Sequence, residues 1–437
     1  MAQHPSMAQD DRDIPASRHR KGRDRARGHA RLLRALDKWR DAAILGRRWA
    51  KRLNRQLRRK PRPQEDTMPS ISQNRWMPWV IVGALGLAAC KKETSGPVAP
   101  AASTAGESKG VDRAQLAVFA PLPEGFTNTA NPSNEAKVEL GRMLYHDTRL
   151  SKDGDLSCNS CHVLTDYGVD HKPTSPGHKG QLGDRNSPTV YNAAGHFVQF
   201  WDGRAADVEA QALGPILNPV EMAMASSETV VAMLKGIPGY VGQFQAAFPG
   251  EAEPVSYPNL GKAIGAFERQ LRTPARWDKY LTGDEQALSD EEKAGLKLFL
   301  STGCQACHSG ALVGGGMYQK AGAVKPWPNQ KDQGRFKVTG VEADRMMFKV
   351  PSLRNIAKTA PYFHDGSVAS LEEAVKQMAE HQLGKQLTDA EAASIGRFLG
   401  ALTGELPAAL TAAPALPTGS AAPAPAQPTP AQPIPAL

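Results

Sequence analysis

The stretch Cys158-Asn159-Ser160-Cys161-His162 (CNSCH) returns 146 residues later as Cys304-Gln305-Ala306-Cys307-His308 (CQACH). The chain has only five cysteines, so four of them are committed to two copies of one pentad. Zinc binding, dithiol redox chemistry and thioether attachment of haem all use a Cys-x-x-Cys pair. Paired zinc knuckles usually lie within about 15–20 residues of each other, far closer than these. A dithiol motif has no need of a trailing histidine, let alone twice. In Cys-x-x-Cys-His, two thiols one helical turn apart add across the vinyl groups of haem, and the adjacent imidazole coordinates the iron. The pentads predict two covalent c-type haems, with His162 and His308 as proximal ligands.

Outward from the pentads, 437 residues with 41% hydrophobic content suffice for two ordinary domains plus tails. The net charge of +9 suggests nucleic acid or a membrane, but its distribution argues otherwise. Residues 1–67 hold 20 Lys and Arg against 8 Asp and Glu, which leaves the rest of the chain at −3. A nucleic-acid partner for the body therefore has no support.

Residues 68–90, MPSISQNRWMPWVIVGALGLAAC, have a positive Arg75, an apolar run from Trp76 to Ala89, and small residues before Cys90. The run is shorter than the roughly 20 residues that span a bilayer, and its layout is that of an export signal. Leu87-Ala88-Ala89-Cys90 resembles the lipobox of bacterial lipoproteins, which accounts for the fifth cysteine as a lipidation site. The alternative is a core helix with a chance cysteine. Met68 then reads as the start, with 1–67 an upstream extension or a basic arm. The expected location is the periplasm, anchored to the outer membrane. Export fits covalent haem, which is attached outside the cytoplasm.

Residues 91–110 read as a flexible linker, and the Ala/Pro-rich 407–437 as a disordered tail. The body is expected to be mostly α, with long irregular loops rich in Gly and Pro. Helical patterns cover 133–147, starting at Ser133, and 289–301, each just upstream of a pentad; further capped helices cover 370–384 and 388–402. Domains are expected over 111–280 and 281–406, with hinge material near 270–288. Each iron has a second axial position. His171, His178 and His196 are candidates for the first; Met317, Met346, Met347, Met378 and His381 are candidates for the second. Composition alone does not choose. Asp153-Gly154-Asp155 lacks the remaining oxygen ligands of a calcium loop and reads as a turn.

Two longer stretches go further: PTSPGHKGQLGDRNSPTVYNAAGHFVQFWDGRAADVEAQALGPILNPVEM after the first pentad, and FKVPSLRNIAKTAPYFHDGSVASLEEAVKQMAEHQLG after the second. Over about 115–403 the chain resembles the bacterial dihaem cytochrome c peroxidases. The resemblance implies two cytochrome-c-like haem domains: a low-potential peroxidatic haem in the N-terminal one and a high-potential electron-entry haem in the C-terminal one. It implies His178 as the removable distal ligand of the first haem and Met378 as the distal ligand of the second. Trp201 would lie on the route between haems, and Gln211 and Glu221 in the peroxide pocket. A calcium ion would take the Asn186 side chain and the carbonyls of Thr359 and Pro361. The implied reaction reduces hydrogen peroxide to water with electrons from a small c-type cytochrome or cupredoxin, in a homodimer.

Each residue also has a plainer reading. Trp201 could be core, Glu221 a solvated or capping carboxylate, and Met378 part of an apolar stripe with Ala374 and Val375. His171, His196 and His364 read as surface or structural histidines. Competing functions are the related dihaem enzyme of methylamine utilisation, a non-enzymatic electron carrier, and a scaffold. The first uses Tyr as an axial ligand, against Met378 here; a carrier needs no pocket like that of Gln211 and Glu221.

Overall fold

The computed structural model describes residues 111–419; the export signal, Cys90 and the basic segment lie outside them. The described elements are almost all helical: α1 (Glu135–His146), α2 (Cys158–Cys161), α3 (Val208–Leu217), α4 (Ser227–Lys235), α5 (Pro238–Ala247), α6 (Tyr257–Glu268), α7 (Arg276–Leu281), α8 (Asp290–Thr302), α9 (Phe336–Thr339), α10 (Leu371–Leu383), α11 (Asp389–Gly400) and α12 (Ala408–Thr411). One short antiparallel pair, β1 (Tyr318–Lys320) with β2 (Met347–Lys349), interrupts them, in register Gln319 opposite Phe348. No helix among the described residues is long and apolar enough to cross a membrane.

The four helices expected from sequence form, and their starts are chemically explicit. Ser289 and Glu292 close a reciprocal cap on α8, as Thr388 and Glu391 do on α11. For α1 the cap is Asn134 rather than Ser133: its side chain accepts from the Lys137 amide at 2.8 Å. Asn and Ser serve equally there, so the pattern alone did not separate neighbours.

Two cores result. In the first, α1 crosses α6, and Leu140, Leu144, Ile264 and Phe267 are fully buried. In the second, α8 crosses α11, burying Leu296, Phe299, Ile395 and Phe398. Each crossing is made close by a glycine. A Cβ on Gly141 would stand 2.0 Å from the Ala263 carbonyl oxygen, and one on Gly295 would stand 2.0 Å from that of Ser394.

The repetition extends beyond the helices. Asn192 and Asn355, 163 residues apart, both adopt positive φ (61° and 63°) and both bond the Thr273 hydroxyl, at 2.7 and 2.9 Å. At the same spacing the Asn186 amide donates to the His364 carbonyl and the Lys349 amide to the Trp201 carbonyl, each at 2.8 Å. The two halves thus exchange equivalent backbone bonds across one seam.

Packing moves two expected boundaries. Trp277 and Tyr280 on α7 are buried in the second core, which also takes Val111, Leu116 and Phe119 from the start of the described chain. The second packing unit therefore begins before 281 and recruits residues upstream of the first. The tail expected to be unstructured from 407 is placed as far as 419. Leu406 and Leu410 pack on the first core, Arg142 donates to the Ala412 carbonyl, and Arg149 donates to those of Pro417 and Gly419. Proline-rich chain loses little freedom on docking, and the arginines supply the donors it lacks.

Candidate functional site

The first pentad forms the single turn α2, closed at its start by the Ser157 amide donating to Ser160 Oγ at 3.0 Å, with Cys158 and Cys161 at its two ends and His162 just past it. The Tyr145 hydroxyl fixes that end by donating to the His162 carbonyl at 2.8 Å. The second pentad forms a 3-10 turn, Cys304–Ala306, entered through Gly303 at φ 102°. All four thiols are free. Burial pushes the Cys158 and Cys304 thiols up to about 12 and raises Cys161 and Cys307 as well. Dithiol exchange needs a thiolate, so this environment opposes the redox reading. Among the described residues no group of three or more His, Cys, Asp or Glu is placed to hold a metal ion by itself.

Both proximal imidazoles are half-buried and their ionisation is lowered, which favours the neutral form in which histidine binds metal. Burial lowers His162, with the backbone of Gly168 and Pro188 pulling the other way. Those groups stand beside its Nδ1 but outside hydrogen-bond geometry. Burial likewise lowers His308 to about 4, opposed by the backbone of Val313 and Pro351. Its Nδ1 faces the Val313 carbonyl at 3.4 Å. Neutral, half-buried imidazoles beside paired cysteines fit haem.

Around the second pentad the structure forms a cavity of about 230 Å³, walled mainly by apolar groups, with Cys304, Cys307, His308 and Met378 on its lining. Met378 comes from α10, whose Ala374 and Val375 line the same wall. Met317, Met346, Met347 and His381 do not. Met317 is exposed, Met346 packs with Trp327 and Phe348, and the His381 Nδ1 faces the Lys325 carbonyl at 3.2 Å.

His178 and Glu221 are brought together on the first side. The His178 amide donates to the Glu221 carbonyl at 2.7 Å, and the buried His178 Nδ1 lies 3.3 Å from Asp153 Oδ2. Asp153, read from sequence as turn only, is thus a partner that sequence reasoning missed; nothing local marks it, since the contact spans the fold. The loop carrying His178 turns through His171, Lys179 and Gly180 at positive φ. Gly177 fits because a Cβ there would meet the Val220 carbonyl at 2.0 Å. Burial raises the Glu221 carboxyl, against opposing pulls from Arg204 and the Asn218 side chain. Glu221 also acts electrostatically on both Cys158 and Cys161, which places it beside the first pentad. Gln211 is half-buried on α3.

Trp201 stands at the seam. Its Nε1 donates to the Asn186 carbonyl at 3.0 Å, its ring lies 6.4 Å from that of His364, and it packs on the cluster that includes Met378. Asn186, Thr359 and Pro361 line the cavity together. The Asn186 amide nitrogen donates to the Lys172 carbonyl at 3.0 Å, leaving its oxygen free for another partner. Of the histidines set aside, His171 is exposed, pairing with Asp166 and the Ala360 carbonyl; His364 is buried and His196 half-buried.

Two such pentads in one chain, each with its proximal histidine, fit a protein that carries two haems. Comparison with known proteins agrees. The family described as di-haem cytochrome c peroxidase matches residues 135–286. The cytochrome c551 peroxidase of Pseudomonas aeruginosa is 46% identical over 298 residues, covering 67% of this chain and 86% of that protein. That of Nitrosomonas europaea is 47% identical over 278 residues, 63% of this chain and 82% of the relative. A crystal structure of a MauG-like protein associated with microbial copper homeostasis superposes with TM-score 0.58 at 32% identity, covering 67% of this chain and 95% of that one. The chain belongs to the bacterial dihaem cytochrome c peroxidase family, and its activity is that of a cytochrome-c peroxidase, an oxidoreductase.

Proposed function

We propose that the two halves are two cytochrome-c-like haem domains with divided labour. The first reduces hydrogen peroxide to water; the second accepts electrons singly from a small c-type cytochrome or a cupredoxin. The observation that carries this division is the contact of His178 with Glu221, beside the first pentad only. The haem held by Cys158, Cys161 and His162, and that held by Cys304, Cys307, His308 and Met378, supply the redox equivalents.

In this reading the chain's own groups handle orientation and protons. His178 would hold the first haem from a glycine-rich loop that can withdraw, and Met378 would hold the second from a helix that stays in place. Glu221, made more basic than an ordinary carboxylate by burial, would in its deprotonated form take a proton from one oxygen of peroxide and return it to the other, so that water leaves. Gln211 orients peroxide by neutral hydrogen bonding. Trp201 bridges the two centres. Asn186 with the Thr359 and Pro361 carbonyls would hold a calcium ion through oxygen donors, the ligand type that ion takes. Acylation at Cys90, an outer-membrane position in the periplasm and a homodimer complete the reading.

The test is rapid mixing of peroxide with oxidised and with half-reduced holoenzyme, followed at the two haem spectra. The first haem alone should react. Reaction at the second haem, or at neither, would overturn the division.

A further inference from the structure

Lys349 is an anomaly that the peroxidase chemistry does not use. Its side chain is buried to 5% exposure at the end of β2, lining the second cavity. Its Nζ meets His196 Nδ1 at 2.8 Å, and no carboxylate acts on it: burial alone shifts its ionisation, downwards to about 7. The buried Arg354 and Arg269 are matched to Asp278 and Glu209, and the partly buried Arg185 to Asp202 and Asp332. The buried Lys137 donates to Asn131 Oδ1 and the Pro132 carbonyl and feels the charges of Glu209 and Glu251, whereas no carboxylate acts on Lys349. Burying an unpaired ammonium costs several kcal/mol, so proteins seldom do it without an anion.

His196 has the complementary defect. Burial and the Lys349 charge hold its ring neutral. With Nδ1 accepting from Lys349, Nε2 carries the proton, and that atom is buried without a partner. A cation on the cavity wall is therefore backed by a histidine with a spare donor. The repeated backbone does not require the charge, because the position equivalent to Lys349 in the first half, 163 residues earlier, is the neutral Asn186. The lysine belongs to the second site specifically.

We infer that Lys349, steadied by His196, is the counter-ion of a carboxylate, a propionate of the second haem. This rests on the reading of the second site as a haem site. Lys349 lies two residues before Pro351, whose backbone neighbours His308, so it reaches the second cavity from the same segment that positions the proximal imidazole. A fixed positive charge there favours the ferrous over the ferric state and suits the centre where electrons enter.

The first measurement is a structure of the haem-loaded wild-type protein: Lys349 Nζ should lie within hydrogen-bond distance of a propionate oxygen, and an Nζ facing only neutral groups overturns the inference. The second is optical redox titration of holoenzyme with Lys349→Met. Losing one buried charge should lower the ferrous-to-ferric ratio of the second haem on the order of tenfold at fixed poise, a midpoint about 59 mV lower, while the first haem stays put. Lys349→Arg should restore it. Where Lys349→Met fails to mature, Lys349→Gln, whose amide is less costly to bury, should show the same fall. An unmoved midpoint in the uncharged variants sinks the proposal. Haem content separates this from the underlying reading: fewer than two c-type haems per chain defeats that reading, whereas two haems with unmoved potentials defeat only the role of Lys349.

Discussion

Replacing the crossing glycines separates the two halves of the molecule. In Gly141→Ala the new methyl would fall 2.0 Å from the Ala263 oxygen, 2.6 Å from its carbonyl carbon and 2.8 Å from Phe267 Cβ. Two of these three atoms belong to the backbone of α6, so the helix must move; no rotamer change relieves the clash. Restoring ordinary contact requires a displacement of more than about 1 Å in a core where close packing is the rule. Overpacking costs about 1–3 kcal/mol, and a backbone clash belongs at the upper end. Gly295→Ala meets the Ser394 oxygen at the same 2.0 Å, so an equal penalty is expected in the second core. At roughly 2–4 °C per kcal/mol for units of this size, each variant should melt about 6–12 °C lower. Calorimetry gives the melting, and redox titration of the surviving holoenzyme shows which centre is disturbed. Gly141→Ala should perturb the first haem and Gly295→Ala the second. A melting change under about 1 °C in either variant, or equal disturbance of both haems by each, would refute the argument that each haem rests on its own glycine-crossed helix pair.

Met378→His should lower the midpoint of the second haem, because imidazole stabilises ferric iron better than thioether; an unchanged titration would return Met317, Met346 or Met347 to candidacy. Glu221 has its carboxyl raised by burial, so the deprotonated form is lost as pH falls through a value above 4.5. Peroxidase turnover should drop along that limb, and Glu221→Gln should abolish the limb and reduce turnover about 10²–10⁴-fold. Deleting 407–437 removes Leu410 and the carbonyls that Arg142 and Arg149 address, so the first core should melt earlier with the second haem's potential unaffected. If Cys90 is acylated, Cys90→Ser should release the protein from membranes in fractionation.

The parts legible in the sequence are those fixed by local chemistry. The pentads stated the haem count, and reciprocal caps such as Ser289 with Glu292 marked helix starts. The repeat was harder to see, for a physical reason. PTVYNAAGHFVQFWDGR and PSLRNIAKTAPYFHDGS align at a constant spacing of 163, yet they share mainly Pro, Asn, Phe, Asp and Gly. The backbone repeats at several of them. Asn192 and Asn355 at φ 61° and 63° and Gly203 and Gly366 at 67° and 61° suit positive φ, and Phe200 and Phe363 share it at 64° and 71° although it does not favour a bulky side chain. The pentads themselves are 146 apart, and the residues on the crossing helices, Ala263 and Ser394, 131 apart. Insertions of different length hide a repeat from any search at one period. Asp153, His196 and Lys349 were illegible for another reason, since each acquires its meaning from a partner brought close only by the fold.

The same comparison explains how one architecture supports two centres with different work. Where the halves coincide, from Asn186 to α3 and from Lys349 to α10, they build seam and scaffold. They differ in the element that offers the distal residue. In the first half the residue offered is His178, on a loop that makes its turn with Lys179 and Gly180 at positive φ and rests on the Val220–Glu221 backbone through Gly177. In the second half it is Met378, one turn from the end of a helix capped by Ser370 and closed by Gly384 at φ 66°. A loop held by a few backbone bonds opens at far lower cost than a helix packed along its length. Glu221, the residue proposed for proton transfer, meets that loop through its backbone carbonyl. On the proposed division of labour, helix against loop is the asymmetry that would make one centre reactive and leave the other a conduit. It predicts that His178→Gly removes any need to reduce the second haem before peroxide reacts with the first. Rapid mixing of peroxide with the fully oxidised variant decides it: a first haem that still stays silent until the second is reduced would mean that something other than His178 guards that iron.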